Sequence, residues 1–370
     1  MPTFTPHQDA ALAAVADWLR GKPGQGTPQV FRLFGYAGTG KTTLAKHIAH
    51  DASGKVAFAA FTGKAALVMR AKGCEGASTI HSLIYRARES GEEMPSFDLW
   101  DEAPASKAKL IVIDECSMVD EELGRDLKSF GVPLLVLGDP AQLPPIAGGG
   151  FFTDAEPDVM LTEVHRQARD NPIIRLSMDV REGKRLSPGD VDDAGTQVVA
   201  RDDLDPERVI GADQVLVGRN NTRRAYNGRM REHRGFADAL PMAGDKLVCL
   251  RNNRRKGLFN GGLWQVKQRP TTRREVLKMH LTPDENNASK GIKVSVRTEC
   301  FGGNVEALGW PVRKKYDEFD YGYVLTVHKA QGSQWDDVVL FDESFAFPDS
   351  RARWLYTGIT RAAKTLTVVV

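Results

Sequence analysis

The segment VFRLFGYAGTGKTT, residues 30–43, decides both the fold class and the first site of this chain. Its apolar first half is typical of a buried strand, and its glycine-rich half fits G-x-x-x-x-G-K-[S/T] and leads into a helical pattern. Such glycines let backbone N–H groups converge on phosphate oxygens, and the helix N-terminus adds its dipole. Lys41 is expected to contact the β and γ phosphates of a nucleotide, and the Thr42 hydroxyl to bind Mg²⁺. The residues of this predicted phosphate loop are Gly35, Gly38, Thr39, Gly40, Lys41, Thr42 and Thr43.

Outward from this loop, the first 150 residues alternate short apolar runs with helical patterns, as stacked strand–helix units do. Four apolar runs are predicted to be parallel strands buried on both faces, and two stretches between them to be crossover helices. The fold class is therefore α/β, with ligands expected at the carboxyl ends of the strands. The predicted strands are Val30–Phe34, Val56–Phe61, Leu110–Ile113 and Leu134–Leu137, and the predicted helices are Thr42–His50 and Ala65–Arg70.

Polar residues follow two of these strands. The run Leu110–Ile113 leads into Asp114, which is placed to hold Mg²⁺, and Glu115, which could polarise the water that attacks a γ phosphate. An Asp-Glu pair alone is a weak signal, since many such pairs lie in surface loops, but behind a phosphate loop it indicates nucleoside triphosphate hydrolysis. Gln142, in GDPAQLPP after the next strand, could touch the γ phosphate; the alternative is a proline-rich turn.

The length of 370 residues predicts two or three domains. The net charge of +2 says nothing about partners, but residues 219–278 hold 16 Lys and Arg against 4 Asp and Glu. Such a basic segment is typical of a phosphate-backbone site, and a solvated surface is the alternative. The four cysteines are far apart and lack metal-site spacing, which predicts no disulfides, no zinc and a reducing, cytoplasmic setting. We expect no signal peptide and no membrane helix.

The remaining chain divides into regions that differ in composition and in predicted secondary structure. Polar residues between Tyr85 and Lys109 predict a surface insertion, and residues 148–150, Gly-Gly-Gly, predict a hinge. A second α/β region is expected from about Val159, and the short strands and turns from Ala243 to Val312 predict a small β-barrel insertion. The predicted domains are residues 1–155, residues 156–242 with 313–370, and residues 243–312.

Further motifs, in order from Gln8 to Arg361, resemble those of superfamily 1 helicases, specifically the superfamily 1B branch of RecD-like and Dda-type phage enzymes. The chain departs from the family pattern at Phe61, where proline is usual, at Gln334, where glutamate is usual, and at Gly358, where alanine is common. The matching segments are TPHQDAA (5–11) with the Q motif, FTGKAA (61–66) with motif Ia, STIHSL (78–83) with motif Ib, DE (114–115) with motif II, GDPAQLPP (138–145) with motif III, LTEVHRQ (161–167) with motif IV, VLTVHKAQGSQWDDVVL (324–340) with motif V and WLYTGITRA (354–362) with motif VI.

This resemblance implies two RecA-like domains, 1A and 2A, that sandwich ATP and Mg²⁺, with a strand-splitting 1B pin at about residues 85–109 and an SH3-like 2B domain at residues 243–312. Gln8 is expected to read adenine, Arg166 to contact the γ phosphate and Arg361 to act as an arginine finger. The catalytic set is then Lys41, Glu115, Gln142, Arg166 and Arg361, the metal ligands are Thr42 and Asp114, and Gly332 and Gln334 join the nucleotide contacts. Closure of the two domains around the γ phosphate would give a stepping motor.

The resemblance also implies a single-stranded DNA track. Hydroxyl, imidazole and cationic side chains suit phosphate contacts that are made and broken without sequence readout. The residues predicted to line the track are Thr62, Lys64, Thr79, His81, Thr326 and His328, with Arg223 and Arg224 beside it and Arg251, Arg254, Arg255, Lys256, Lys267 and Arg269 in the 2B region. Phe97 and Trp100 are the pin candidates; each could instead anchor the insertion to the domain core.

The predicted activity is ATP-dependent unwinding of DNA, and the resemblance alone implies 5′ to 3′ movement. The expected partners are single-stranded DNA, a DNA fork and proteins of replication, repair or recombination, in the cytoplasm of a bacterial or phage-infected cell, with a monomer as the working unit. Two alternatives stay open: a DNA-stimulated translocase that does not unwind alone, and a P-loop phosphotransferase such as a nucleotide kinase.

Overall fold

A computed structural model describes residues 4–51, 54–87, 97–144, 150–163, 170–193, 195–253, 256–284, 291–303 and 305–370. Within these ranges, twenty strands form three six-stranded sheets and one hairpin. The strands are β1 (Val30–Gly35), β2 (Val56–Ala60), β3 (Ser78–Thr79), β4 (Tyr85–Ala87), β5 (Phe97–Leu99), β6 (Leu110–Asp114), β7 (Leu134–Gly138), β8 (Val159–Leu161), β9 (Asp192–Asp193), β10 (Thr196–Val199), β11 (Gln214–Val217), β12 (Lys246–Cys249), β13 (Leu263–Val266), β14 (Thr271–Arg273), β15 (Val276–Pro283), β16 (Ile292–Arg297), β17 (Phe319–Tyr321), β18 (Val324–Thr326), β19 (Trp335–Phe341) and β20 (Ala362–Val369).

The helices pack on the sheets or connect them. The first, Pro6–Arg20, begins with a capping box between Thr5 and Gln8, and Pro6 occupies its first turn. The other α-helices are Lys41–Asp51, Gly63–Ala71, Ile80–Ile84, Glu121–Ser129, Pro172–Arg181, Pro206–Gly211, Asn220–His233, Trp310–Arg313, Val327–Ala330 and Arg351–Ile359.

The first sheet carries the phosphate loop. Its order is β3-β2-β6-β7-β1-β8, and every neighbouring pair is parallel. Alternate residues of each strand enter apolar clusters on opposite faces, as Leu33 and Phe34 do on β1. Because the strands are parallel, their carboxyl ends share one edge, which gathers the residues after β1, β6 and β7. The four strands and two helices predicted for this region are confirmed to within two residues at each end.

The second sheet has the order β18-β11-β19-β20-β10-β9 and is parallel except for the edge strand β9. Apolar clusters again cover both of its faces. Two α/β layers were expected from the sequence, and this pair of sheets confirms them.

The third sheet is antiparallel, in the order β14-β15-β13-β12-β17, with β16 paired to β15. It has its own apolar cluster, which includes Leu247, Trp264 and Phe319. The predicted change to short strands after Ala243 is therefore confirmed, whereas the sheet's closure as an SH3-like barrel stays a prediction. A separate hairpin, β4 with β5, rises from the first sheet where an insertion was predicted.

Two strand pairings bear on the predicted domain boundaries, which stay predictions. β8 pairs with β1 at the edge of the first sheet, so this sheet continues to Leu161 instead of ending near residue 155. β17 pairs with β12, so the antiparallel region extends to Tyr321 and not to Val312. Both short strands were assigned by sequence position, but hydrogen-bond pairing to a distant strand decides to which sheet they belong.

Leu143, after β7, joins the first lobe (the part built on the first sheet) to the second lobe (the part built on the second sheet). Its side chain lies in the apolar cluster of the second lobe, together with Leu325 and Trp354. Its backbone N–H donates to Thr357 Oγ1 at 2.9 Å, and its carbonyl accepts from Gln331 Nε2 at 3.0 Å. The two lobes are therefore fastened at the loop that also carries Gln142.

Candidate functional site

The phosphate loop lies between β1 and the helix Lys41–Asp51, as its sequence predicts. Gly38 and Gly40 have φ of +77° and +82°, a backbone conformation that residues other than glycine rarely adopt. The Lys41 ammonium donates to the carbonyls of Gly35 and Tyr36 at 2.6 and 2.9 Å. These contacts hold the cation within the loop, where an incoming phosphate would take over as its partner.

The two carboxylates stand beside the loop at the end of β6. Thr42 Oγ1 donates to Asp114 Oδ2 at 3.1 Å, so the two predicted metal ligands are adjacent. Glu115 has a left-handed backbone, with φ 54° and ψ 44°. Desolvation at the floor of the cleft raises the pKa of Glu115, although the opposing charge of Arg361 lowers it. A carboxyl group with a raised pKa is better suited to accept a proton than an ordinary, fully solvated one.

Residues from both lobes line one cleft of about 400 Å³. The first lobe supplies the phosphate loop, the two carboxylates and Gln142, and the second supplies Gly332, Ser333, Gln334, Thr360 and Arg361. Gly332 has φ +70°, and a β-carbon there would lie 2.9 Å from the Thr62 hydroxyl oxygen. Glycine at this position thus lets motif V approach the first lobe closely. The predicted nucleotide contacts other than Gln8, Gly35 and Arg166 therefore line this cleft, whereas their roles stay predictions.

Arg361 is 5 % exposed and is held in place by the second lobe. Its guanidinium donates to the carbonyls of Thr357 and Ser333 at 3.0 and 3.1 Å and to Thr360 Oγ1 at 3.1 Å. These neutral acceptors orient the cation without neutralising it, so its charge remains available to the cleft.

Tyr356 makes a bridge between the lobes that the sequence reasoning missed. Its hydroxyl accepts a hydrogen bond from the backbone N–H of Ala37, in the phosphate loop, at 2.9 Å and donates to Asp139 Oδ2 at 2.6 Å. Burial and the neighbouring Asp139 carboxylate raise the pKa of Tyr356, so the hydroxyl keeps its proton. The only sequence signal was the position of Tyr356 and Asp139 inside motifs VI and III.

Gln142 lies between the two anchors of its loop, Asp139 and Leu143. Its side chain is buried, and among the described residues its Oε1 atom has no hydrogen-bond partner. A buried amide oxygen without a partner is costly, so it indicates a group completed by a ligand or water. Gln8 is also buried and donates from Nε2 to the Thr39 carbonyl at 2.9 Å, which places it against the phosphate loop.

Three threonines predicted to contact DNA occupy equivalent local positions. Thr62 follows a strand, and Thr79 and Thr326 end theirs; each caps the next helix, accepting from a backbone N–H three residues on at 3.1, 3.2 and 3.3 Å. A capping hydroxyl keeps its own proton for a further bond, and the Thr79 hydroxyl is also hydrogen-bonded to the Ser82 hydroxyl. The DNA contacts stay predictions, but the capping fixes where these hydroxyls lie.

The other predicted track residues differ in setting. Lys64 is buried, with its ammonium 4.5 Å from the centroid of the Trp335 ring of the second lobe. His81 is exposed, and its ring lies 5.6 Å from that of Tyr85. The His328 ring lies 5.1 Å from that of Phe347, and desolvation lowers the pKa of His328, so this imidazole is neutral at pH 7. Lys64 therefore contacts the opposite lobe in this arrangement, and His328 can act only as a neutral donor.

The placement of Arg223 contradicts its predicted DNA contact. Its guanidinium is 4 % exposed and pairs with Asp320 at 2.7 Å, so reaching a phosphate would break a buried ion pair. Arg224 is exposed and stays a prediction.

Many charges of the basic segment are neutralised by acidic residues outside it. The pairs are Arg219–Glu343, Arg223–Asp320, Lys246–Asp284, Arg251–Glu318 and Lys256–Asp317, and Arg231 pairs with Asp245 inside the segment. Lys267 and Arg269 are exposed, whereas Arg254 and Arg255 lie outside the described residues. The charge excess of the sequence therefore overstates the charge available to a DNA backbone.

The pin candidates lie at opposite ends of β5, Phe97 as its first residue and Trp100 directly after its last. The backbone of Phe97 pairs with that of Ala87. Trp100 packs against the apolar cluster of the first sheet, and its backbone N–H donates to the Ile84 carbonyl at 3.0 Å. This packing favours the alternative in which Trp100 anchors the insertion to the domain core. Arg166 falls in residues 164–169, outside the described residues.

Three expected absences concern the described part of the chain alone. There the four cysteines are free and buried, and His, Cys, Asp and Glu form no group of three that could hold a metal ion. None of the described helices combines the length and the apolar character that crossing a membrane requires.

Comparisons with known proteins agree with these motifs. The chain matches the AAA domain family over residues 21–198 and the UvrD-like helicase C-terminal domain family over residues 321–369. It is 30% identical over 380 residues to the ATP-dependent RecD2 DNA helicase of Deinococcus radiodurans, covering 95% of this chain and 47% of the relative. It is 33% identical over 165 residues to the ATP-dependent DNA helicase dda of Enterobacteria phage T4, covering 40% of this chain and 37% of the relative. The chain thus spans less than half the length of these curated relatives.

Solved structures of Pif1 helicases share the fold. A Pif1 structure described for DNA unwinding at forked duplex DNA has a TM-score of 0.61 and 17% identity, covering 100% of this chain and 92% of that one. Bacteroides Pif1 in complex with ADP-AlF3 and single-stranded DNA has a TM-score of 0.59 and 16% identity, with the same coverage. At these identities the likeness is one of fold.

Proposed function

Because the chain belongs to superfamily 1B of the helicases, with RecD2 and Dda helicases among its relatives, we propose that it is an ATP- and Mg²⁺-dependent DNA helicase that moves 5′ to 3′ on single-stranded DNA and separates duplex DNA. One observation carries this proposal: Lys41 and Glu115 of one lobe share a cleft with Arg361 of the other. The nucleotide site in that cleft is complete only when both lobes contribute residues to it.

In the proposed reaction, Glu115 accepts the proton of the attacking water, and Lys41 and Arg361 stabilise the charge on the γ phosphoryl oxygens. Gln142 offers its partnerless Oε1 to the same region. Arg166 is proposed as a second arginine at the γ phosphate, on motif position alone. Since these groups come from both lobes and from the loop anchored by Leu143, hydrolysis and product release change the contact between the lobes.

The Mg²⁺ site is proposed from the donor set. Thr42 Oγ1 and Asp114 Oδ2 are hard oxygen donors 3.1 Å apart, which fits an ion that binds through one or two protein ligands, waters and substrate phosphates. When bound, Mg²⁺ neutralises charge on the β and γ phosphates.

The sheets support a domain assignment. We assign domain 1A to the first sheet through Leu161, the 1B pin to the β4–β5 hairpin, and domain 2A to the second sheet. The antiparallel sheet through Tyr321 is proposed to be the SH3-like 2B domain. Phe97 is the preferred pin residue, because Trp100 packs on the core.

The proposed partners are single-stranded DNA and a DNA fork. The structural relatives include Pif1 chains described with single-stranded DNA and at forked DNA, and the capping threonines offer hydroxyl donors along both lobes. A working monomer, replication or repair partners and a cytoplasmic location complete the proposal, the last because the four cysteines are free thiols.

The test is unwinding of one duplex that carries either a 5′ or a 3′ single-stranded tail, with ATP and Mg²⁺. Unwinding from the 5′ tail alone, lost in Lys41→Ala, is the expected result. Unwinding from the 3′ tail would refute the polarity.

The second candidate is a translocase that does not unwind alone, and the core packing of Trp100 favours it, since one of the two pin candidates is already occupied. It would replace the helicase proposal if single strands stimulate ATP hydrolysis but neither tail supports unwinding. If single strands fail to stimulate hydrolysis at all, both candidates fall.

A further inference from the structure

We propose that Phe345, with Arg219 beside it, forms a stacking platform for a nucleobase of single-stranded DNA on the second lobe. This inference rests on the proposed function, because it adds a contact to the same DNA track. Neither residue was itself predicted from the sequence to contact DNA, although Arg219 lies four residues before Arg223.

Phe345 is exposed in a way that packing does not explain. It lies on the short 3₁₀ turn Ser344–Ala346, and 61 % of its surface is accessible, the largest exposed fraction among the exposed large apolar residues of the described chain. A single exposed apolar residue is common on a protein surface, but this ring is held on a short turn beside the Arg219 guanidinium, where its face is open to a ligand.

The platform is rigid because Glu343 organises it. One oxygen of this buried carboxylate accepts from the backbone N–H groups of Gly218 and Arg219 at 2.8 and 2.9 Å. The other accepts from Arg219 Nε and Nη2 at 3.0 and 2.9 Å and from the Thr222 hydroxyl at 2.6 Å. These bonds fix the plane of the Arg219 guanidinium, whose carbon lies 5.4 Å from the centroid of the Phe345 ring.

The charge around the ring suits a nucleic acid. The Arg219 side chain is 55 % exposed, so part of its guanidinium remains available to a phosphate. Arg351 donates from Nε to Ser344 Oγ at 3.0 Å, which places a second, half-exposed cation on the same turn. Arg351 also lies 4.0 Å from Asp342, so Arg219 is the cation directly beside the ring. An aromatic ring beside a partly exposed cation is a combination that binds a base and its phosphate.

The register of the second sheet places this platform in line with the predicted track. Val217 on β11 lies opposite Thr326 on β18, and Leu216 lies opposite Leu340 on β19. The carboxyl ends of β18, β11 and β19 therefore form one row along the sheet edge. The row runs from Thr326 and His328, past Gly218 and Arg219, to the turn with Phe345. Single-stranded DNA that contacts the motif V residues can continue across this sheet edge to Phe345.

The experiment compares Phe345→Ala, Phe345→Trp and the wild type in binding a fluorescent oligo-dT of about 12 nucleotides, within the range of single-stranded sites. Met242→Ala is the control, because Met242 is an exposed apolar residue, 36 % accessible, outside this row. A second oligonucleotide, abasic along its centre, keeps the phosphates and removes the stacking partners.

We expect Phe345→Ala to weaken binding of oligo-dT about fivefold or more, and Phe345→Trp and Met242→Ala to retain it. Phe345→Ala and wild type should bind the abasic oligonucleotide with equal affinity, because the variant loses only base stacking. ATP hydrolysis without DNA should stay unchanged in Phe345→Ala, since Phe345 lies outside the nucleotide cleft.

Equal affinity of wild type and Phe345→Ala for oligo-dT would overturn the platform while leaving the helicase proposal intact. A loss of the same size on the abasic strand would also overturn it, because the effect would then not come from stacking. If the wild type itself does not bind oligo-dT, the proposed function fails, and the platform fails with it.

Discussion

Replacing Tyr356 by phenylalanine removes one oxygen atom from the contact between the lobes and leaves the ring in place. The hydroxyl joins the Ala37 N–H of the phosphate loop to the Asp139 carboxylate, at 2.9 and 2.6 Å. Tyr356 and Asp139 are 1 % and 2 % exposed, so water cannot replace the lost group without a local rearrangement. Asp139 keeps one bond, from the Ala141 N–H at 3.0 Å.

The size of the effect follows from these contacts. Leaving a buried hydrogen-bonding group without its partner costs about 1–3 kcal/mol. The bridge exists only while the lobes touch, so its loss destabilises the closed arrangement relative to an open one. Since about 1.4 kcal/mol corresponds to a tenfold change in an equilibrium constant, a nucleotide that needs both lobes should bind about 5- to 100-fold more weakly.

The assay is equilibrium binding of a slowly hydrolysed ATP analogue with Mg²⁺ to the wild type and to Tyr356→Phe. Tyr226→Phe is the control, because the Tyr226 hydroxyl also accepts a hydrogen bond, from Arg201 at 3.0 Å, but this bond is exposed and lies outside the nucleotide cleft. The melting temperature and near-UV circular dichroism of each variant report whether the fold is retained. A change in affinity below about twofold in a folded Tyr356→Phe would refute the reasoning.

Two further predictions concern carboxylates. Glu115→Gln should lower the rate of ATP hydrolysis about 10²- to 10⁴-fold while nucleotide binding is retained, because the amide cannot accept the proton of the attacking water; equal steady-state rates in the two proteins would contradict this role. Burial alone would raise the pKa of Glu343, but hydrogen bonds from Thr222, Arg219 and Gly218 outweigh it, so the pKa lies below the ordinary value of 4.5. The stabilisation by Glu343 is then complete above pH 4.5 and is lost as the pH falls through the lower, folded-state pKa. Glu343→Gln should therefore have a lower melting temperature than wild type at pH 7, and the difference should become smaller towards pH 3. The exposed Glu207→Gln should have the wild-type melting temperature at every pH. A difference for Glu343→Gln that does not change with pH would count against this account.

The local parts of the site could be predicted from the sequence because adjacent residues build them. The phosphate loop needs its glycines, lysine and threonine in one stretch, and Asp114 and Glu115 follow directly from the apolar run of β6. Parallel strands then bring these segments to one sheet edge without further information. The buried strands were also visible, since continuous apolar runs are typical of sheets covered on both faces.

Sheet membership was less visible. β8 and β17 are three residues long, and their assignment depends on pairing with β1 and β12, which lie far away in sequence. Neither strand has a periodicity that distinguishes one sheet from another. Sequence position alone therefore did not indicate to which sheet either strand belongs.

By itself, the sequence determined that this chain carries a strand–loop–helix unit of the phosphate-binding type and that its motifs follow the order of superfamily 1B. Only the tertiary structure decided which charges are free. Arg223 pairs with Asp320, 97 residues away, and Arg219 with Glu343, 124 residues away, so part of a basic stretch of sequence is taken up in ion pairs with remote residues. The same folding placed Tyr356 against the phosphate loop and left Phe345 exposed. Side-chain pairing and exposure depend on distances between remote segments, which a local pattern of residues does not contain.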